Sequence, residues 1–281
     1  MPPVPTCVLS SFDAPRAEHG HDLDQFVQIG SLSKALTGTV LVRLASAGVL
    51  QLDDPIEQFL RAPARTGITL RHLAEHTSGL PRLPPRLRRF DPYASFGTHA
   101  LDTVVQRLDS LTGSAPGRTE EYSNLGYAIL GAALSSAAGK PYEELLKQYV
   151  LAPLNVSDVT ADPPPDRRLS ARGLFGLPRR PWTMGGAILP AGGLWATPRE
   201  AARLVTALLV DRTLGEPAPS WQRAGSLLWH NGATRDASVF AGAMPDGTWV
   251  LVHRLSGRAE ATDSLAIELL KENGTRPPRC S

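Results

Sequence analysis

The sequence predicts an α+β fold: an antiparallel sheet built from both chain ends, flanked by helices, with a mostly helical region inserted between. Three observations carry this. Strand-like segments gather at the two ends, at 5–10 and 26–29 and again at 226–230, 237–244 and 248–255. Helix-period segments fill the middle of the chain. A last helical pattern, 260–272, closes it with Leu265, Leu269 and Leu270 on one side. The expectation is one domain over 1–281, with a sheet part at about 1–58 and 220–281 and a helical part at about 59–219.

Each element has a local reason. Residues 31–47 place Leu32, Leu36, Val40 and Leu44 at helical spacing, and Gly48 is a stop signal. Leu52-Asp53-Asp54-Pro55-Ile56 turns into a second short helix. Thr69 can cap a helix over 69–75 whose Leu70, Leu73 and Ala74 share a face, and His76-Thr77-Ser78-Gly79-Leu80-Pro81 ends it in a turn. Helices follow near 98–111, 125–138 and 141–150, and the Pro- and Arg-rich stretch 161–184 reads as irregular. Thr197, Pro198 and Glu200 combine an N-cap, a proline at N1 and an acid at N3, opening a helix over 198–210. Pro245-Asp246-Gly247 is a hairpin turn between the last two strands.

Composition excludes some classes of function. The chain has 281 residues, 42% hydrophobic and 20% charged, with net charge +2. That is ordinary for a globular protein and gives no electrostatic reason to expect nucleic acid or a membrane surface. No apolar run reaches the ~18 residues of a spanning helix. The N-terminal stretch has neither a basic n-region nor a long apolar h-region, so the expectation is a cytoplasmic protein with Cys7 and Cys280 as free thiols, their pairing left open. One basic stretch, Arg82 to Arg89, reads as a solvated, proline-stiffened loop; the alternative is a rim that attracts anionic substrate.

The chemistry concentrates in Gly30-Ser31-Leu32-Ser33-Lys34. Lysine occurs only at 34, 140, 147 and 271, and Ser31/Lys34 is the only S-x-x-K. Residues three apart on a helix are neighbours. A serine hydroxyl is a poor nucleophile until a base takes its proton. Lys34 can be that base once burial or a nearby positive charge lowers its pKa. Three further features accompany the pair. Tyr122-Ser123-Asn124 stands before a helix; its phenol becomes a proton shuttle when a lysine ammonium stabilises the phenolate, and Asn124 can bond a substrate amide. His230-Asn231-Gly232 ends a strand, where glycine lets a substrate approach the backbone and edge N–H groups can complete an oxyanion hole. Gly192-Gly193-Leu194 precedes the 198–210 helix.

In this order, these motifs resemble the serine β-lactamase and penicillin-binding-protein superfamily, closest to its class C β-lactamase-like branch of esterases, D-amino-acid peptidases and acyltransferases. Ile29-Gly30-Ser31, Gly48-Val49-Leu50-Gln51-Leu52-Asp53-Asp54, His76-Thr77-Ser78-Gly79-Leu80 and Pro116-Gly117 match as well, so the resemblance spans about 26–255. It implies a β-lactamase/transpeptidase-like fold. It implies Ser31 as the acylated nucleophile, Lys34 and Tyr122 sharing the proton transfers, and Asn124, His230, Asn231 and Gly232 contacting substrate. The backbone of Ser31 and of Gly232 to Thr234 would form the oxyanion hole. His-Asn-Gly departs from a third motif that often carries lysine and a hydroxyl, which makes β-lactam and D-Ala-D-Ala substrates less favoured.

Two readings compete. His72-Leu73-Ala74-Glu75-His76 matches the inverted zinc-peptidase signature H-x-x-E-H, with Glu75 as base; the preferred reading is two structural histidines at a helix end. A non-catalytic binding module would be expected to lack Ser31, Lys34 or Tyr122, and all three are present. The expectation is a serine acyl-enzyme that needs no cofactor or metal. It opens a small-molecule ester or amide and passes the acyl group to water or to an amine or alcohol acceptor. The low-lysine, Arg/Ala/Pro/Gly-rich composition of a GC-rich genome points to specialised, antibiotic-related metabolism. Segments 90–96 and 174–184 are the expected apolar cover over the site.

Overall fold

The computed structural model describes residues 3–173 and 176–273; Cys280 and residues 174–175 lie outside them. The chain begins with β1 (Thr6–Ser10), β2 (Arg16–Glu18) and β3 (Val27–Gln28). A 3-10 turn, Gly30–Leu32, runs directly into α1 (Ser33–Ser46). The helical region follows with α2 (Leu70–Ala74), α3 (Thr98–Val105), α4 (Asn124–Ala138) and α5 (Tyr142–Leu146). Then come β4 (Val159–Thr160), α6 (Leu189–Gly192), β5 (Trp195–Ala196) and α7 (Pro198–Val205). The chain returns through β6 (Gln222–Ala224), β7 (Leu227–Ala233), β8 (Ser238–Ala243) and β9 (Trp249–Arg254), ending in α8 (Ala259–Asn273).

The main sheet runs β2-β1-β9-β8-β7-β6, every pair antiparallel. β1 pairs with β9 from Thr6↔Arg254 to Ser10↔Val250, so strands from early and late in the chain meet one strand in from the β2 edge. The 26–29 strand forms only as β3, outside this sheet; it pairs with β5, which also pairs with β4. α8 covers one face, where Val8, Phe240, Val250 and Val252 meet Ala266, Leu269 and Leu270. The opposite face and the helical region share one continuous apolar cluster.

At the centre of that cluster stands α1. Leu36, Val40, Leu41 and Leu44 are all buried, each contributing ~1.5–3 kcal/mol by removal from water. Thr37 spends its polar atom on Tyr142 Oη and Pro190 O, both at 2.7 Å. The expected single helix over 31–47 therefore starts two residues late, and Ser31 sits in the tighter 3-10 turn before it. The expected 141–150 and 198–210 helices run their length, α5 and α7 widening into π-helical turns at Lys147–Leu151 and Thr206–Val210, whereas the 98–111 segment breaks after Val105. Cys7 is fully buried in β1, and burial pushes its thiol up to about 12, leaving it inert.

Candidate active site

The turn that carries Ser31 is pinned from two sides. Ser33 Oγ donates to Gly30 O (2.7 Å) and accepts from Leu194 N (3.3 Å), while Ile29 N donates to Leu194 O (3.2 Å). The Gly192–Leu194 segment is thereby held against the nucleophile turn. On the other side β7 passes so close that a Cβ on Gly232 would overlap Ile29 O and lie 2.8 Å from Ser31 N. Gly30, at φ +49°, faces the Ala233 backbone in the same way: a Cβ there would lie 2.9 Å from Ala233 N. β6 pairs with β7 only over Leu227–Trp229, and Gly232 and Ala233 border a cavity of about 790 Å³ together with Ser31, Tyr122 and Asn124. The strand edge is thus placed to lend N–H groups beside that of Ser31 to a developing oxyanion.

Lys34 is completely buried. Its Nζ reaches Ser31 Oγ (3.2 Å), Asn124 Oδ1 (2.8 Å) and Ala191 O (2.5 Å). Burial, reinforced by the charge of Arg82, holds its pKa well below the usual lysine value. A neutral amine has two N–H donors and one lone pair. Asn124 Oδ1 and Ala191 O take the donors, and Ser31 is the one partner with a proton to give. In its neutral form, then, the amine would have its lone pair left for the serine hydroxyl.

The neighbouring Ser31 side chain and the charge of Arg82 favour the Tyr122 phenolate, but burial outweighs both and pushes its pKa up to about 12. Lys34 Nζ lies over the ring, 4.7 Å from its centroid. Burial thus favours the neutral phenol of Tyr122 over the phenolate at neutral pH. Ser123 caps α4, its Oγ accepting from Gly126 N (2.8 Å) and donating to Pro81 O (2.7 Å). Asn124 N donates to Arg82 O (2.8 Å), and Ser123 N donates to His76 Nδ1 (3.1 Å). These bonds join the Tyr122–Asn124 motif to the 76–82 turn and leave the Asn124 side chain facing Lys34.

The third motif divides across the strand. Side chains alternate along β7, so Gly232 and His230 face the nucleophile turn while Asn231 faces α8. His230 is fully buried, its Nδ1 against Asn231 O (2.5 Å), and burial followed by the nearby Lys34 drives its pKa down to about 3. It is neutral and is not among the residues that border the cavity. Asn231 borders the cavity, but its Nδ2 donates to Asp263 Oδ2 (2.8 Å) on α8.

His72 and His76 have structural positions. His72 Nδ1 accepts from Thr69 N (3.2 Å) in a capping box, and α2 ends at Ala74. His76 lies beyond that end at φ 60°, its ring packed at a tilt against Tyr122 (4.4 Å) and Tyr127 (5.0 Å), so the two imidazoles do not share a helix face. Among the described residues, no group of three or more His, Cys, Asp or Glu could hold a metal.

Sequence reasoning did not single out Tyr93. Its hydroxyl accepts from Asn124 Nδ2 (3.0 Å), fixing which amide atom faces Lys34. Tyr93 and Pro92 from one expected cover segment, and Trp182 and Met184 from the other, border the cavity. Asp91 joins the segments by accepting from Thr183 N and Oγ1. Phe90, by contrast, is 83% exposed and covers nothing. Tyr93→Phe removes the acceptor and lets the Asn124 amide turn. The loss of one neutral hydrogen bond, about 3- to 10-fold, is expected in kcat more than in KM, with an unchanged melting temperature. Wild-type kcat in Tyr93→Phe would remove this positioning role.

This fold, with serine, lysine and tyrosine converging where a buried helix begins, defines a member of the β-lactamase/transpeptidase-like superfamily. The chain belongs to the Beta-lactamase family of serine hydrolases, whose profile matches residues 12–264. It is 36% identical over 191 residues to the Escherichia coli K12 protein named D-alanyl-D-alanine-carboxypeptidase/endopeptidase AmpH, covering 64% of this chain and 48% of that one. The chain thus spans about half, or less, of the length of the curated relatives it matches. Two solved structures share the fold. The octameric penicillin-binding protein homologue from Pyrococcus abyssi superposes with TM-score 0.79 at 20% identity, covering 99% of this chain and 75% of that one. The D-stereospecific amidohydrolase from a Streptomyces species gives 0.71 at 22% identity, covering 98% and 95%.

Proposed function

We propose that this protein is a serine acyl-enzyme catalyst for a small-molecule ester or amide. The observation that carries the reading is the buried Lys34 amine, 3.2 Å from Ser31 Oγ with its two other contacts made to acceptors. Lys34 takes the Ser31 proton as Oγ attacks the acyl carbon, and backbone N–H groups at Ser31 and the β7 edge hold the oxyanion. Tyr122 gives its proton to the leaving oxygen or nitrogen, and the proton that Lys34 took from Ser31 restores the phenol. Water, or an amine or alcohol, then takes the acyl group from Ser31 by the reverse sequence.

Acyl transfer is the finer reading, with a place in specialised, antibiotic-related metabolism. It is supported by the cover that Tyr93, Trp182 and Met184 build beside Ser31, because an acceptor held there gains from orientation what water has in concentration. The alternative is a D-amino-acid peptidase or amidase, the activity in the names of the Escherichia coli and Streptomyces relatives. Labelling with a fluorophosphonate is expected to add one adduct, at Ser31, by intact and peptide mass. Small amines added to an ester assay are expected to divert product from acid to amide without slowing ester consumption. Acid alone across several acceptors would leave a plain hydrolase, and an active enzyme that never labels at Ser31 would end the acyl-serine reading.

A further inference from the structure

We propose that Arg82, supported by Arg88, binds an anionic group on the leaving-group side of the substrate, so that the preferred substrate is a carboxylate-bearing ester or amide. The proposal rests on the acyl-serine reading above and assigns its charge selectivity to the loop that follows the 76–81 turn, not to the β7 motif.

Four observations converge. The β7 motif offers no cation: His230 is buried away from the cavity, and the Asn231 amide donates to Asp263. The residues bordering the cavity include Arg82 and Arg88 and no Asp or Glu. Other arginines of this chain are tied to acids, as Arg71 is to Asp53 and Arg167 to Asp158. No such ion pair involves Arg82 or Arg88 among the described residues. Finally, Arg82 is fixed at the chemistry: its carbonyl accepts from Asn124 N (2.8 Å), and its Cζ lies 5.3 Å from the centre of the Tyr122 ring. Tyr122 is the group that protonates the leaving atom, so a guanidinium at its ring stands on the leaving-group side of the scissile bond. A planar guanidinium with free N–H groups matches a carboxylate in two parallel bonds. Arg88 adds a second positive charge at the same cavity.

The test compares two aryl esters of one acyl group, with 3-carboxyphenol or its neutral counterpart 3-carbamoylphenol as leaving group. Wild type is expected to favour the carboxylate in kcat/KM by about 10- to 100-fold, the worth of a hydrogen bond to a charged group. Arg82→Gln is expected to bring the ratio close to one, Arg82→Lys to retain part of it, and Arg88→Gln to lower it. Added salt should reduce the wild-type ratio through screening. A wild-type ratio near one, or a ratio that Arg82→Gln leaves intact, overturns the proposal while turnover of the neutral ester still supports acylation at Ser31. Failure of both esters to react, with no Ser31 adduct, overturns the acyl-serine reading and this inference with it.

Discussion

Ser31→Ala is expected to abolish both the fluorophosphonate adduct and turnover, lowering kcat by roughly 10⁴-fold or more, as when a nucleophile is removed from a site whose members act as a unit. The fold should be untouched. Ser31 is half-buried in a 3-10 turn that Ser33 and Leu194 hold through other atoms. The hydroxyl lost is the one facing Lys34 Nζ and Tyr122. Rates of ester loss and intact mass, measured on wild type and variant with matching melting curves, check the result. Residual turnover within tenfold of wild type would mean that another group does the chemistry.

Lys34 variants carry the second large effect. Lys34→Arg and Lys34→Met are both expected to lose about 10³-fold or more in kcat, since general-base assistance contributes ~10²–10⁴-fold and neither replacement can take the serine proton. The pH dependence has a fixed sign. With Lys34 as the proposed base the neutral amine is the active form, so wild-type kcat/KM is expected to rise with pH through the lowered pKa of Lys34 and to be lost on the acid side. Stability follows the same logic. In the unfolded chain the lysine binds a proton below its ordinary pKa of about 10.4, whereas the folded site disfavours it. Between the two pKa values the unfolded state binds more protons, so wild type gains stability as pH rises. Lys34→Met lacks this dependence. The melting temperature of wild type relative to Lys34→Met should therefore climb from neutral pH towards 10. The absolute difference has no such fixed sign, because methionine ends the desolvation penalty but leaves Asn124 Oδ1 and Ala191 O without their donor. A flat difference across that range would show that Lys34 folds with its proton on.

Much of the fold was legible because its longer elements repeat a simple pattern. The buried face of α1, the caps at Thr69 and Thr197 and the hairpin between β8 and β9 follow from spacing and turn chemistry, and the structure has all four. The short strands were not legible. β2 and β6 have three residues and β4 and β5 have two, too few for an alternating pattern to stand out. Residues 31 and 32 have helix-like spacing along the chain, yet they lie in a 3-10 turn that β7 and the Leu194 segment approach closely.

For the site, the sequence by itself determined which groups exist and which lie close along the chain. Ser31 and Lys34 are one turn apart, Tyr122 and Asn124 flank a capping serine, and glycine stands at 232 where a strand crowds the nucleophile turn. Their order along the chain was enough to point to the family. Only the tertiary structure decided what each group can do. The Lys34 pKa depends on desolvation by helices far apart in sequence and on Arg82, and the same burial keeps Tyr122 a phenol. Strand alternation placed His230 under the site and turned Asn231 towards α8. Tyr93, Arg82 and Arg88 reached the cavity from a loop with no periodic pattern to read. Spacing is a local property of the chain, whereas protonation and access are set by what surrounds a side chain, and those surroundings exist only once distant segments pack together.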